Sequence, residues 1–205
     1  MEIQGNSEFR LAGWLLLAGG LFAIAGAMCP PYRQWTGTQE EGFRAIAGNQ
    51  VGWWCIHGGF FLGTVLSAIG LAVLASVLNA RDGGKWALIA AVAFAIAGSA
   101  WIVNIAYRLS VWSWAAQTFV ATGLTPSAFE PLRRWAGLLF VVFSFVGYSS
   151  VACLGAAMLR AELGPTWLRW GTLACGATAG FVVGANVPFI MYVPLAALGA
   201  VLLRR

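Results

Sequence analysis

His57 is the sole histidine in a sequence of 205 residues, and Asn104 and Arg108 stand four residues apart in an otherwise apolar stretch. On a helix, residues four apart share a face, and Trp101 and Trp112 extend that face in both directions. A guanidinium set among tryptophans suits a phosphate or carboxylate group, through paired charge-assisted hydrogen bonds and stacking. Asn186 and Tyr192 fall in the same half of the chain's predicted bundle. His57, Trp101, Asn104, Arg108, Asn186 and Tyr192 are therefore the candidate ligand-binding residues. Polar side chains inside an apolar sequence are costly unless paired or wetted, which is why they point to a site. Each also has a plainer use. Arg108 can extend its charge to the headgroups, Asn186 suits a turn, and a lone histidine can bond a backbone carbonyl.

The same inventory weighs against an enzyme. All seven acidic residues lie outside the predicted spans, so no pair of buried carboxylates is at hand for acid–base work. One histidine cannot supply a three-ligand zinc site or a bis-histidine haem, and no lysine lies in a span to form a Schiff base. Ser144, Ser149 and Ser150 have no base near them in sequence, and serines in lipid commonly bond their own helix. No catalytic residue, metal or cofactor is expected. Proton-coupled transport usually needs a chain of buried acids or histidines, and here His57 stands by itself.

The elements that must position these residues are legible from where charge is missing. The chain is 60% apolar and 9% charged, against roughly 25% charged in an ordinary soluble domain. Asp, Glu, Lys and Arg are absent from 11–32, 45–80, 86–107, 135–159 and 170–203, each long enough for the roughly 20 residues that cross a hydrocarbon core. The prediction is an all-α, polytopic transmembrane helix bundle forming one membrane domain over 1–205. It has about six spans, near 9–29, 51–78, 86–112, 134–159, 165–184 and 188–203. Pro30-Pro31 ends the first span, since proline cannot continue a helix. The first is read as a retained span rather than a signal peptide, because Glu2 and Glu8 sit beside Arg10 and the apolar run is long. Thr38 and Glu41 form a capping box ahead of Phe43, Ile46 and Ala47, which predicts a short interfacial helix in the first outer loop. The segment 115–132 reads as mixed, with a short helical turn near Glu130-Pro131. Gly184 to Pro188 reads as a turn between the last two spans, with a re-entrant hairpin as the alternative for 170–203.

Packing and orientation follow. Gly59 and Gly63 in the second span, and Thr172, Gly176, Gly180 and Gly184 in the fifth, form small-residue ridges. In lipid such ridges let helices approach closely, and packing inside the bundle is the expected use. Arg10, Arg81, Lys85, Arg160, Arg169, Arg204 and Arg205 fall on one side, and Arg33, Arg44, Arg108, Arg133 and Arg134 on the other. That excess places both termini in the cytoplasm, for a protein of a bacterial inner membrane. The net charge of +5 is too dispersed for nucleic acid, so the expected partners are membrane lipids and other membrane-protein subunits. Cys29 and Cys55 fall toward one face, where a disulfide could join them; no cysteine pair has metal-ligand spacing. The functional expectation is an accessory subunit of a membrane complex or a binder of lipid-like, apolar ligands. The alternatives are a small transporter using the polar cluster and, last, a lipid-modifying enzyme.

Overall fold

The computed structural model describes residues 2–29, 37–182 and 188–204, which are almost entirely helical with no strand among them. The helices are α1 (Glu2–Met28), α2 (Gln39–Gly48), α3 (Gln50–Leu78), α4 (Gly84–Tyr107), α5 (Ser113–Thr122), α6 (Phe129–Arg160), α7 (Thr166–Val182) and α8 (Tyr192–Leu202). A π-helical turn, Arg108–Trp112, joins α4 to α5, and a 3-10 turn, Pro188–Met191, leads into α8. Four helices are long and apolar enough to cross a membrane: Ser7–Met28, Gln50–Leu78, Gly84–Thr122 and Phe129–Arg160. α7 and α8, with 17 and 11 residues, are shorter. Asn186 and Gly184 lie outside the described residues.

Small residues set the helix spacing. α1 runs between α3 and α8, and its glycines meet theirs. A Cβ on Gly63 would lie 2.8 Å from the backbone of both Ala23 and Gly19, and one on Gly199 would lie 2.7 Å from the Gly13 carbonyl. Gly59 faces the Phe22 carbonyl in the same seam. α6 packs between α4 and α7. There a Cβ on Gly176 would collide with the backbone of Ala152, and one on Gly155 with that of Leu173. These ridges are spent within one chain, as lipid-embedded helices require when no hydrophobic force drives them together.

Beyond these seams the chain departs from the sequence reading. The third long helix does not stop near Trp112 but continues to Thr122, a helical run of 39 residues interrupted by the π turn. At 1.5 Å per residue this is roughly 58 Å, about twice the hydrocarbon thickness, so one end stands clear of the bundle. The segment read as mixed from 115 is therefore largely α5. Nothing between Leu109 and Thr122 breaks a helix, and Gly123, at φ +72°, closes it in a left-handed conformation that glycine adopts without strain.

The projecting end is covered by α2. Its capping box is formed: the Glu41 N–H donates to Thr38 Oγ1 at 3.3 Å, and the Thr38 N–H donates to Glu41 Oε2 at 2.7 Å. Its apolar face does not lie open to lipid. Phe43 is fully buried against Trp112, Phe119 and Phe129, with ring centroids 5.6, 5.5 and 5.0 Å away. Arg44 lies over Phe119 at 5.4 Å. The result is a lobe with its own small core, built from α2, α5, the adjoining end of α4 with its π turn, and the first turns of α3 and α6.

The charges separate by end. Arg81 lies 5.1 Å over the Phe9 ring, Arg160 approaches Asp82 at 3.9 Å, and Arg169 donates to the Gly164 and Glu162 carbonyls. At the lobe end, Glu130 is held by Arg133 at 2.7 Å and Arg134 at 3.0 Å. Cys29 and Cys55 are both exposed free thiols, not a disulfide.

Candidate functional site

The polar cluster forms where α3, α4 and α6 meet below the lobe. On α3, Trp53, His57, Phe60 and Thr64 follow helical spacing and all are buried. Nδ1 of His57 lies 2.8 Å from the Trp53 carbonyl. A carbonyl only accepts, so Nδ1 carries the hydrogen of that contact and Nε2 is presented as an acceptor. That Nε2 is buried and has no hydrogen-bond partner among the described residues. The Trp53 ring tilts against the imidazole at 4.1 Å, and Phe60 meets its other side edge-on at 6.0 Å.

On α4, Asn104 holds two elements together. Its amide donates to the Ala136 carbonyl of α6 at 2.7 Å, and its Oδ1 accepts from Arg108 Nε at 2.6 Å. The guanidinium so oriented lies 5.5 Å over Trp101 and 5.8 Å over Phe140. Such cation–π contacts strengthen as water is removed, and Arg108 is half-buried. The π turn begins at Arg108, whose carbonyl accepts the Trp53 indole N–H at 3.2 Å. The widened turn thus ties α3 to α4 immediately above His57, and π turns often mark functional sites.

Trp101 is the floor of the cluster. It is fully buried, stacks on Phe143 at 4.8 Å, and touches Phe60 and Phe189 at 5.7 and 5.9 Å. Phe189 itself stacks on Phe60 at 4.4 Å, within 9° of parallel. The entry to α8 therefore lies at the depth of Trp101, well short of the lobe. The Trp101 indole N–H, like His57 Nε2, has no hydrogen-bond partner among the described residues. One level deeper, Tyr192 is fully buried with its hydroxyl 2.8 Å from Thr64 Oγ1, which donates to the Phe60 carbonyl at 2.7 Å.

Of the residues singled out from sequence, His57, Trp101, Asn104 and Arg108 come together. Tyr192 joins them through Phe60 and Thr64, and Asn186 lies outside the described residues. Trp112 does not continue the stripe as expected. The π turn adds a residue to the helical repeat and swings Trp112 into the lobe, 5.0 Å from Phe129. Thr172 is buried with its Oγ1 unpartnered among the described residues, and Gly176 sits in the seam with α6, as expected of a packing residue. The surroundings of Gly180, like Gly184 itself, lie outside what the structure describes. Sequence reasoning missed Trp53, Phe60, Phe140, Phe143 and Phe189 as site walls. The spacing of Trp53, His57, Phe60 and Thr64 was a usable signal; the wall residues of α6 carried none, because phenylalanine is equally at home in lipid.

Among the described residues no three His, Cys, Asp or Glu side chains converge to hold a metal ion. The arrangement offers one cation on an aromatic platform, one buried acceptor and one buried donor. It suits recognition of a molecule that is partly apolar and partly anionic. No protein-family model matches the chain, and no curated protein or solved structure shows significant similarity to it.

Proposed function

We propose that the chain is a non-enzymatic integral membrane protein that binds a lipid-like, anionic amphiphile at the Arg108 cluster. The observation that carries this reading is the pair of buried polar atoms, His57 Nε2 and Trp101 Nε1, without partners among the described residues, beside a guanidinium laid on two rings. Leaving such an atom unsatisfied costs about 1–3 kcal/mol, so a ligand that reaches either one gains a bond the fold leaves unmade. The cation would take the anionic head, and the aromatic walls the apolar body.

The proposed topology has six passes. Four are full crossings by α1, α3, α4–α5 and α6. α7 and α8 are the two shorter spans of the proposal, with Phe189, in the turn before α8, against Trp101 on the site's floor. Both termini would be cytoplasmic in a bacterial inner membrane, with the lobe outside and α2 at the outer interface, its apolar face covered by α5. The distribution of basic residues supports this orientation.

Native mass spectrometry of the gently extracted protein is the test. A bound acidic lipid-sized molecule is expected, and Arg108→Gln or His57→Phe should lower its occupancy about tenfold with the helical circular dichroism unchanged. Bare wild-type protein, or equal occupancy in the variants, would remove the reading. A second reading, an accessory subunit, has its own support: the lobe exposes Trp54, Trp114, Leu124 and Trp135, an aromatic surface of the kind partner proteins cover. A stoichiometric protein partner in the same spectrum would select it. A transporter would instead lose flux in liposomes on Arg108→Ala or His57→Ala.

A further inference from the structure

At the end of the bundle away from Arg108, α3 and α4 part to leave an open groove of about 440 Å³, within the range of roughly 300–1,000 Å³ that holds small molecules. Its floor and sides are largely methyl groups: Ala68, Ala72 and Ala75 on α3, and Ala91 and Ala95 on α4, with Asn79 at its end. Three features say what would lie in it.

The first is length. From Ala68 to Asn79 the helix rises roughly 16 Å, about half of a 30 Å hydrocarbon core. The groove is one leaflet deep. Toward mid-membrane its lining stops at Ala68 and Ala95. A partner helix would need a seam along the whole thickness; an acyl chain needs one leaflet.

The second is polarity. The groove is apolar along its depth and ends at the Asn79 amide, beside the turn that joins the two helices. The Ser76 hydroxyl on its wall is already turned to the Val73 carbonyl at 2.7 Å, so it adds no polarity to the channel.

The third is charge. Lys85 is exposed and lies on the same face of α4 as Leu88, Val92 and Ala95, one turn beyond the groove's end. Asp82, the acid of that turn, faces Arg160 at 3.9 Å, and Arg81 is anchored over Phe9. A cation and an amide therefore stand at headgroup depth, directly over a channel of acyl-chain length.

We infer that the α3–α4 groove seats one acyl chain of an anionic phospholipid from the leaflet at the Arg81 end, with its phosphate at Lys85 and Asn79. This lipid is distinct from the ligand of the Arg108 cluster. The shape selects the chain, and Lys85 selects the charge.

The test uses the full chain reconstituted in phosphatidylcholine vesicles containing a minor fraction of phosphatidylglycerol, followed by extraction and native mass spectrometry. It is run in the Arg108→Gln background so that a lipid at that site is not counted. One retained phosphatidylglycerol per chain is expected. Ala72→Phe with Ala95→Phe, which fills the channel from its lipid-exposed rim, should cut retention about tenfold. Lys85→Gln should abolish the preference for phosphatidylglycerol over phosphatidylcholine while a lipid remains bound. Equal retention in the filled variant overturns the inference, as does a protein dimer carrying no lipid, which would mean a second copy occupies the groove. The melting temperature of each variant, compared with its parent, separates loss of lipid from loss of fold.

Discussion

Two sets of helix contacts in this molecule are built by opposite means. Along α1 and α7 the helices touch backbone to backbone: Gly63 on Ala23, Gly199 on Gly13 and Gly176 on Ala152 leave no room for a single added methyl. Toward the lobe the helices are held apart by rings, with Phe43, Trp112 and Phe129 in one group and Trp53, Phe60, Trp101 and Phe143 in another. Backbone contact leaves room only for small side chains, such as Ser67 against Gly19. Ring packing leaves gaps of side-chain size, and those gaps are where His57, Asn104 and Arg108 sit. The difference sets the polar side chains among the rings and makes the glycine seams their frame.

The sharpest way to break that contrast is at Gly176. Because its missing side chain faces the backbone of Ala152 and Tyr148, Gly176→Leu must separate α6 from α7. It is expected to cost more than about 3 kcal/mol, seen as loss of monodisperse protein in size-exclusion chromatography; a folded variant of wild-type melting temperature would refute the backbone-contact account. Next in size is Phe43→Ala. Emptying the centre of the lobe should cost about 3–5 kcal/mol, but locally. Hydrogen exchange should accelerate in α2 and α5 while α1 and α3 stay protected, and uniform acceleration would mean that the lobe and bundle are one cooperative unit.

Asn104→Ala tests the polar half at a smaller scale. It removes the donor to Ala136 and the acceptor for Arg108, and a loss of about 1–3 kcal/mol is expected. Asn104→Asp keeps the acceptor but not the donor, so it should retain Arg108-dependent ligand occupancy while losing stability. The smallest effect has the opposite sign. Gly58 and Gly137 also lie in long helices, yet a Cβ on either meets nothing within 4 Å. Alanine at either position should raise stability by up to about 1 kcal/mol in thermal melts. If it destabilises as Gly176→Leu does, spacing rather than contact governs these glycines.

Much of this was legible in the sequence. The charge-free runs fall on all four long helices but stop 15 residues short of the end of the third, at Thr122, and Thr38 with Glu41 marks the start of α2, since a capping box needs two residues three apart and nothing distant. Asn104 and Arg108 share a face by helical arithmetic alone, and their bond follows. The end of the third helix was misread because nothing in 109–122 resembles either a polar loop or a plain span. The place of Trp112 was misread because a π turn has no local signature and shifts every later residue around the axis.

What the sequence by itself determined is the solvent and the helices: composition excludes a soluble core, and local rules set the starts, stops and ridges. Only the tertiary structure decided which faces meet. It covered the apolar side of α2 with α5, set the turn before α8 against Trp101, and chose Phe60, Phe143 and Phe189 as walls. The physical reason is that lipid is as apolar as a protein interior. A helix in water shows its buried face by contrast with its polar one. Here Leu138 faces outward and Phe143 inward with no difference in hydropathy to tell them apart.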